Sequence, residues 1–280
     1  EQTGTGKLQV QSQKFINQDQ ATIGQALYDN QPIATTPSVN TAPSTANTGA
    51  QNQVVDNTSN PSTNPDTPSA SILAPVISDG SITATTISNT TSNALITATG
   101  PINVQARDIS NLDKSSIAVD TLMTDNQQVD NRLNNDNSRI QVNNADWNLV
   151  IFDNKQGQII SRQGFNITSQ QGIDNTAGIL ASQNNITLNT QGNINNTEGL
   201  IQGQTVTTQA NQIDNTQGKL YAEDALGVTL SGKLDNTQGL ISAKQDVSID
   251  SQSLLTQNGA LIRSGKAIDI KVIDQLDNLD

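Results

Sequence analysis

The sequence predicts an all-β chain wound as a right-handed parallel β-helix, and three observations carry that prediction. A phrase led by an aliphatic recurs as "IDNTAGIL", "INNTEGLI", "IDNTQGKL" and "LDNTQGLI". Between these phrases apolar and polar residues alternate in short runs, which is the period of a strand and not of a helix. Aromatic residues make up only 2% and hydrophobic residues 33%, so the composition suits a narrow core stacked in layers better than a broad globular one.

The aliphatic that leads each phrase serves as a marker. It can be followed through Ile87, Ile109, Val129, Phe152, Ile173, Ile194, Ile213, Leu234, Leu254 and Leu276, with spacings of 19 to 23 residues and a mean of 21. A fixed period of this size is the signature of a solenoid. Two residues on, Asn175, Asn196, Asn215 and Asn236 fall in one column, with Thr176, Thr197, Thr216 and Thr237 beside them. Stacked amides hydrogen-bond from layer to layer, so the phrase reads as a corner that every turn of the coil repeats. The next column, Gly157, Gly178, Gly199, Gly218, Gly239 and Gly259, is expected to supply a positive φ at no steric cost.

Seven residues after each marker, Ile159, Leu180, Ile201, Leu220, Ile241 and Leu261 mark a second short strand. A third follows in the pairs Phe165/Ile167, Ile186/Leu188, Val228/Leu230, Val247/Ile249 and Ile268/Ile270. Three strands in about 21 residues leave no room for crossover helices. Each strand must therefore pair in parallel with its counterpart one turn on, about 4.8 Å away, and the hand of parallel crossovers predicts a right-handed coil.

The array is expected over residues 72–280, most regular over 150–280 and irregular over 120–150. In the irregular part the glycine column lapses and the sole tryptophan, Trp147, stands in "NNDNSRIQVNNADW". Residues 32–71 hold six of the eight prolines and no aliphatic period, and read as a flexible linker or loop. Ahead of them, residues 1–31 read as a partial rung, because Leu8 and Val10 precede Ile16 as Ile186 and Leu188 precede Ile194. Both ends fall inside rungs, which is expected of a piece of a longer solenoid.

Composition also narrows the chemistry. With no Cys and no His, thiol nucleophiles, disulfides, Cys/His zinc sites and histidine acid–base catalysis are excluded. A net charge of −12 argues against nucleic acid, whose phosphates demand Lys and Arg. No apolar run approaches the roughly 18 residues of a membrane-spanning helix, and the opening "EQTGTGKLQV" is not a signal peptide. No cofactor is implied, and the expected form is a monomeric filament.

Three features invite a site. Asp130, Asp153, Asp174, Asn195, Asp214, Asp235 and Asp277 follow the markers as a near-continuous acidic column, and stacked carboxylates are hard-oxygen ligands for Ca²⁺. The same residues are explained as acceptors for backbone N–H groups at a turn, and Asn195 interrupts the column, so no metal is assigned. Asp153, Asp174 and Arg162 are the candidates for a polysaccharide-active enzyme, but the repeat already accounts for both carboxylates, and no catalytic residue is assigned. Trp147 is the candidate binding residue, since one indole stacks well on a sugar or partner; packing in an irregular rung is the competing account.

Runs such as "IDNTAGILASQNNITLNTQGNINNTEGLIQG" and "LDNTQGLISAKQDVSID" resemble the repeats of filamentous haemagglutinin. Those repeats are shared by the exoproteins of two-partner secretion, including the CdiA effectors of contact-dependent growth inhibition. The resemblance covers residues 150–280 best, extends to 87, and is absent from 32–71. It implies a β-helical filament on the surface of a Gram-negative bacterium, secreted through an outer-membrane transporter partner. The function expected from it is a non-enzymatic stalk that presents a toxin or binds a receptor on a neighbouring cell. An adhesin for host cells or biofilm is the alternative, and a β-helical polysaccharide-active enzyme a distant one.

Overall fold

The computed structural model describes residues 7–17, 22–23, 79–89, 95–97, 102–124 and 130–279. The expected linker, 32–71, and the marker Val129 lie outside them. Among the described residues the chain forms strands and no helix, and every strand pairing is parallel. The chain is a β-solenoid whose period is the 21 residues that separate Asn175 from Asn196.

One rung shows how the sequence makes the turn. Its first strand, Gly172–Asp174, sends Ile173 inward. The turn at 175–178 leads the chain into a second strand, Ile179–Ser182, and a bend at 183–184 leads to a third, Asn185–Thr190. In the third strand Ile186 and Leu188 are buried while Asn185, Thr187 and Asn189 face solvent, the strict alternation of a half-buried strand. No strand of the rung can bury its apolar face alone; it does so by closing a narrow core with the other two.

Stacking aligns the markers as Ile87, Ile109, Leu133, Phe152, Ile173, Ile194, Ile213, Leu234, Leu254 and Leu276. Leu133 thus takes the place expected for Val129. The turn after Asn111 carries one extra residue, with Asp113 and Lys114 both at positive φ (57° and 63°), and the larger excess follows the third strand: Leu122 and Leu133 stand 11 residues apart where their partners Ala145 and Phe152 stand 7 apart. The second strand is a single column of Ile96, Ile117, Ile140, Ile159, Leu180, Ile201, Leu220 and Ile241, all buried.

Three further registers differ from the sequence expectation. Ile262, not Leu261, pairs with Ile241, because the turn at Asn258 and Gly259 again holds two positive-φ residues (56° and 76°). In the third column Leu226 and Val228 stack on Val206 and Thr208, and Leu230 lies opposite Ala210. A period-2 run of three aliphatics leaves its offset open until the neighbouring rung fixes it. The strand Lys7–Asn17 pairs with Asp79–Asn89 and places Phe15, not Ile16, opposite Ile87; Thr22 and Ile23 then pair with Leu95 and Ile96. A rung from ahead of residues 32–71 therefore stacks directly on one that follows them.

Candidate functional site

The corner column is longer than the sequence phrase announces. Asn89, Asn111, Asn135, Asn154, Asn175, Asn196, Asn215 and Asn236 are all fully buried. Each Nδ2 donates to the Oδ1 of the next, at 2.7, 2.6, 2.8, 2.7, 2.8, 2.7 and 2.7 Å in chain order. Each amide does more than join its neighbour. Asn175 Nδ2 also donates to the Gly178 carbonyl of its own turn (3.2 Å) and the Leu200 carbonyl of the next (3.2 Å). The side chain thereby satisfies backbone acceptors that a buried turn leaves without partners.

The glycines serve this ladder differently from the expectation. Gly157, Gly178, Gly199, Gly218 and Gly239 do not have positive φ; the residue before each one does, namely Gln156, Ala177, Glu198, Gln217 and Gln238. What glycine supplies is space. A Cβ on Gly178 would lie 2.1 Å from the Asn154 carbonyl oxygen and 2.6 Å from Asn175 Oδ1, and Gly199, Gly218 and Gly239 repeat the contact one rung on. In the stretched turn the corresponding place belongs to Ser115. Its hydroxyl donates to the Asn89 carbonyl (2.6 Å) and lies 2.8 Å from Asn111 Oδ1.

The acidic column takes the turn-forming role. Asp174 Oδ1 accepts from the backbone N–H (3.0 Å) and hydroxyl (2.6 Å) of Thr176, and Asp235 does the same with Thr237. Asn195 makes the matching pair with Thr197, which explains the interruption: the turn needs one carbonyl-type oxygen and not a charge. Asp130 stands outside the column, since Asn134 pairs with Asp153, and Leu255 occupies the place after Asp235. Lys155 lies between Asp153 (3.0 Å) and Asp174 (3.3 Å). Burial works against its charge, but the hydrogen bond to Asp153 and both carboxylates hold its pKa above the ordinary lysine value. Among the described residues no cluster of three or more acidic ligands is suited to a metal. The Tm is expected to be the same in excess Ca²⁺ and in EDTA; a Tm that climbs with Ca²⁺, as linkage requires of a bound ion, would contradict the turn-forming account.

Trp147 is not at the surface. It is fully buried, its Nε1 donates to the Leu122 carbonyl (2.6 Å), and its ring lies 6.1 Å from Phe152 and 6.2 Å from Phe165. It pairs with Ile167 in the inward third column, beside the small Ala145 that pairs with Phe165. No face is left for a sugar or partner, and the indole fills the core where the rungs lose register between Ser161 and Gly164. Arg162 stands exposed on that bulge. Trp147→Ala is expected to cost about 3–5 kcal/mol, read by denaturant unfolding followed through circular dichroism.

Outside the same stretched rungs lies a feature that sequence reasoning missed. A recess of about 470 Å³ is lined by Arg107, Asp108, Asp130, Arg132, Asn134 and Asp153. Arg107 donates to Asp108 (2.8 Å) and reaches towards Asp130 (3.8 Å), while Arg132 sits in register between Asp108 and Ile151. Forked donors beside carboxylates suit a polar, hydrogen-bonding partner. Its signal in the sequence is two arginines in a chain with few cations, each within two residues of its marker once Leu133, and not Val129, stands opposite Ile109. No known protein family, no curated protein and no solved structure matches this chain.

Proposed function

We propose that the chain is a non-enzymatic stalk and recognition segment of a larger exported exoprotein of the contact-dependent growth inhibition type. In this reading its parent is secreted through an outer-membrane two-partner-secretion transporter. It then stands on the surface of a Gram-negative bacterium and meets a receptor on a neighbouring cell. The observation that carries the proposal is the buried asparagine ladder, which stacks rung on rung from Asn89 to Asn236. Such a ladder rewards length and regularity, the properties a stalk needs. The polar recess around Arg107 and Arg132 is the place proposed for receptor contact. A host-cell adhesin would use the same solenoid and differ in its target.

The test is binding of the labelled chain to intact bacteria of related species and to epithelial cells. An Arg107→Ala/Arg132→Ala variant and a chain lacking 32–71 would be measured beside it. Saturable binding to bacteria that the arginine variant weakens supports the proposal. Binding confined to epithelial cells supports the adhesin instead, and binding to neither leaves a spacer without recognition. An enzyme would declare itself by glycan degradation that is lost on Asp153→Asn/Asp174→Asn.

A further inference from the structure

The asparagine phrase has one exception that differs in chemistry as well as in shape. Asn-Gly occurs once in the sequence, at Asn258–Gly259, in the turn where Thr256 replaces the ladder asparagine opposite Asn278. Both residues have positive φ (56° and 76°), as in the tight turns that favour this dipeptide. Asn258 and Gly259 are exposed, and a Cβ on Gly259 would meet nothing within 4 Å.

We propose that Asn258–Gly259 is a self-modification site, converting to aspartate and isoaspartate through a succinimide. The Gly259 amide nitrogen, losing its proton to solvent base, attacks Asn258 Cγ. The new N–Cγ bond forms as the Cγ–Nδ2 bond breaks, and Nδ2 departs as ammonia with a proton from water. Water then opens the ring at one of its two carbonyls, giving aspartate or isoaspartate at position 258. The step needs a free Gly259 nitrogen and an unrestrained side-chain amide. Among the described residues, no hydrogen bond is made by the Gly259 N–H or by the Asn258 side chain.

The other asparagines of the corner lack these conditions. The Asn175 amide is fixed by three donated hydrogen bonds, and the nitrogen that would attack it, that of Thr176, already donates to Asp174 (3.0 Å). Asn137 shares the positive φ (52°) and the exposure. It is followed by Ser138, which is buried and whose N–H donates to the Asn135 carbonyl (3.3 Å). The chain therefore carries its own controls. Isoaspartate at 258 adds a backbone carbon and a charge immediately before Leu261–Ser264, the strand that pairs with Leu240–Ala243, so modification loosens that pairing.

The experiment incubates the folded 280-residue protein in mildly alkaline buffer made with heavy-oxygen water, followed by proteolysis, peptide mass mapping and an isoaspartate methyltransferase assay. Conversion with heavy-oxygen uptake should concentrate at 258 and spare Asn137, Asn175, Asn196, Asn215 and Asn236. Gly259→Ala, which puts a Cβ beside the attacking nitrogen, should slow it on the order of tenfold. The proposal is overturned if 258 converts no faster than Asn137, if conversion requires unfolding in urea, or if Gly259→Ala leaves the rate unchanged.

Discussion

Asn175→Asp should destabilise the solenoid at neutral pH by about 5 kcal/mol or more and reverse the usual acid sensitivity of a carboxylate. The amide at this position accepts from Asn154 and donates to Asn196, Gly178 and Leu200. A carboxylate still accepts but has no N–H to give. It would face three oxygens from a fully buried position with no cation at hand. Burial without a partner raises a carboxyl pKa in the folded state. Relative to the wild type, its stability is therefore greatest below the unfolded value of about 3.9 and falls as pH rises above it. Asn175→Ala removes the same hydrogen bonds without the charge and should cost about 2–4 kcal/mol, independent of pH. Urea unfolding of variant and wild type on both sides of the carboxyl range decides the matter; a deficit relative to the wild type that is larger at acid than at neutral pH would sink the ladder account. Because repeat arrays need not unfold as one unit, Trp147 fluorescence and backbone circular dichroism should be followed separately.

Gly178→Val should cost about 4–6 kcal/mol, the sum of overpacking and the ladder bonds it breaks. The atom in the way of the new Cβ is a backbone carbonyl oxygen 2.1 Å off, which cannot swing aside as a side chain would. The rungs must part, and the Asn154–Asn175 bond parts with them. Gly227 is the control: it lies in the strand Leu226–Leu230, has ordinary φ, and a Cβ there meets nothing within 4 Å. Gly227→Ala should stabilise by about 0.4–1 kcal/mol through the unfolded chain. If both substitutions shift the urea midpoint alike, close approach does not explain the glycine column.

The contrast between these glycines shows where the sequence was legible. Period, strand content and the columns from Ile159 to Ile241 follow from alternation, because one register alone turns every aliphatic inward. The four asparagines from Asn175 to Asn236 announce a ladder because a stacked amide meets its own kind. Asn89, Asn111, Asn135 and Asn154 belong to it too, but lack the full phrase, so only three-dimensional register brings them into line. The glycine column points to a φ signal, whereas in the structure the left-handed place goes to Ala177, Glu198, Gln217 and Gln238. Left-handed backbone costs an L residue about 1–2 kcal/mol, and hydrogen bonds such as Ala177 N–H to the Thr197 carbonyl (2.8 Å) help to offset it. The candidate site was the least legible part. One extra turn residue after Asn111 and a longer passage from Leu122 to Leu133 move the marker away from its regular spacing, and with it the recess between Arg107 and Arg132. Trp147 gave no sign of its direction, because a lone aromatic in an irregular strand fits either face until its neighbours are known.

The bonds between rungs run along the stacking direction, from each asparagine and each strand to its counterpart one layer on. Tension applied through the chain ends would load the bonds of the outermost layer a few at a time and those of inner layers all together, so the solenoid would peel and not shear. Each layer that gives way would release about 70 Å of chain, being 21 residues at 3.3–3.6 Å each. A force–extension trace would then show evenly spaced teeth, and a solenoid so built would lengthen stepwise under load, holding its remaining layers intact while the outer ones yield.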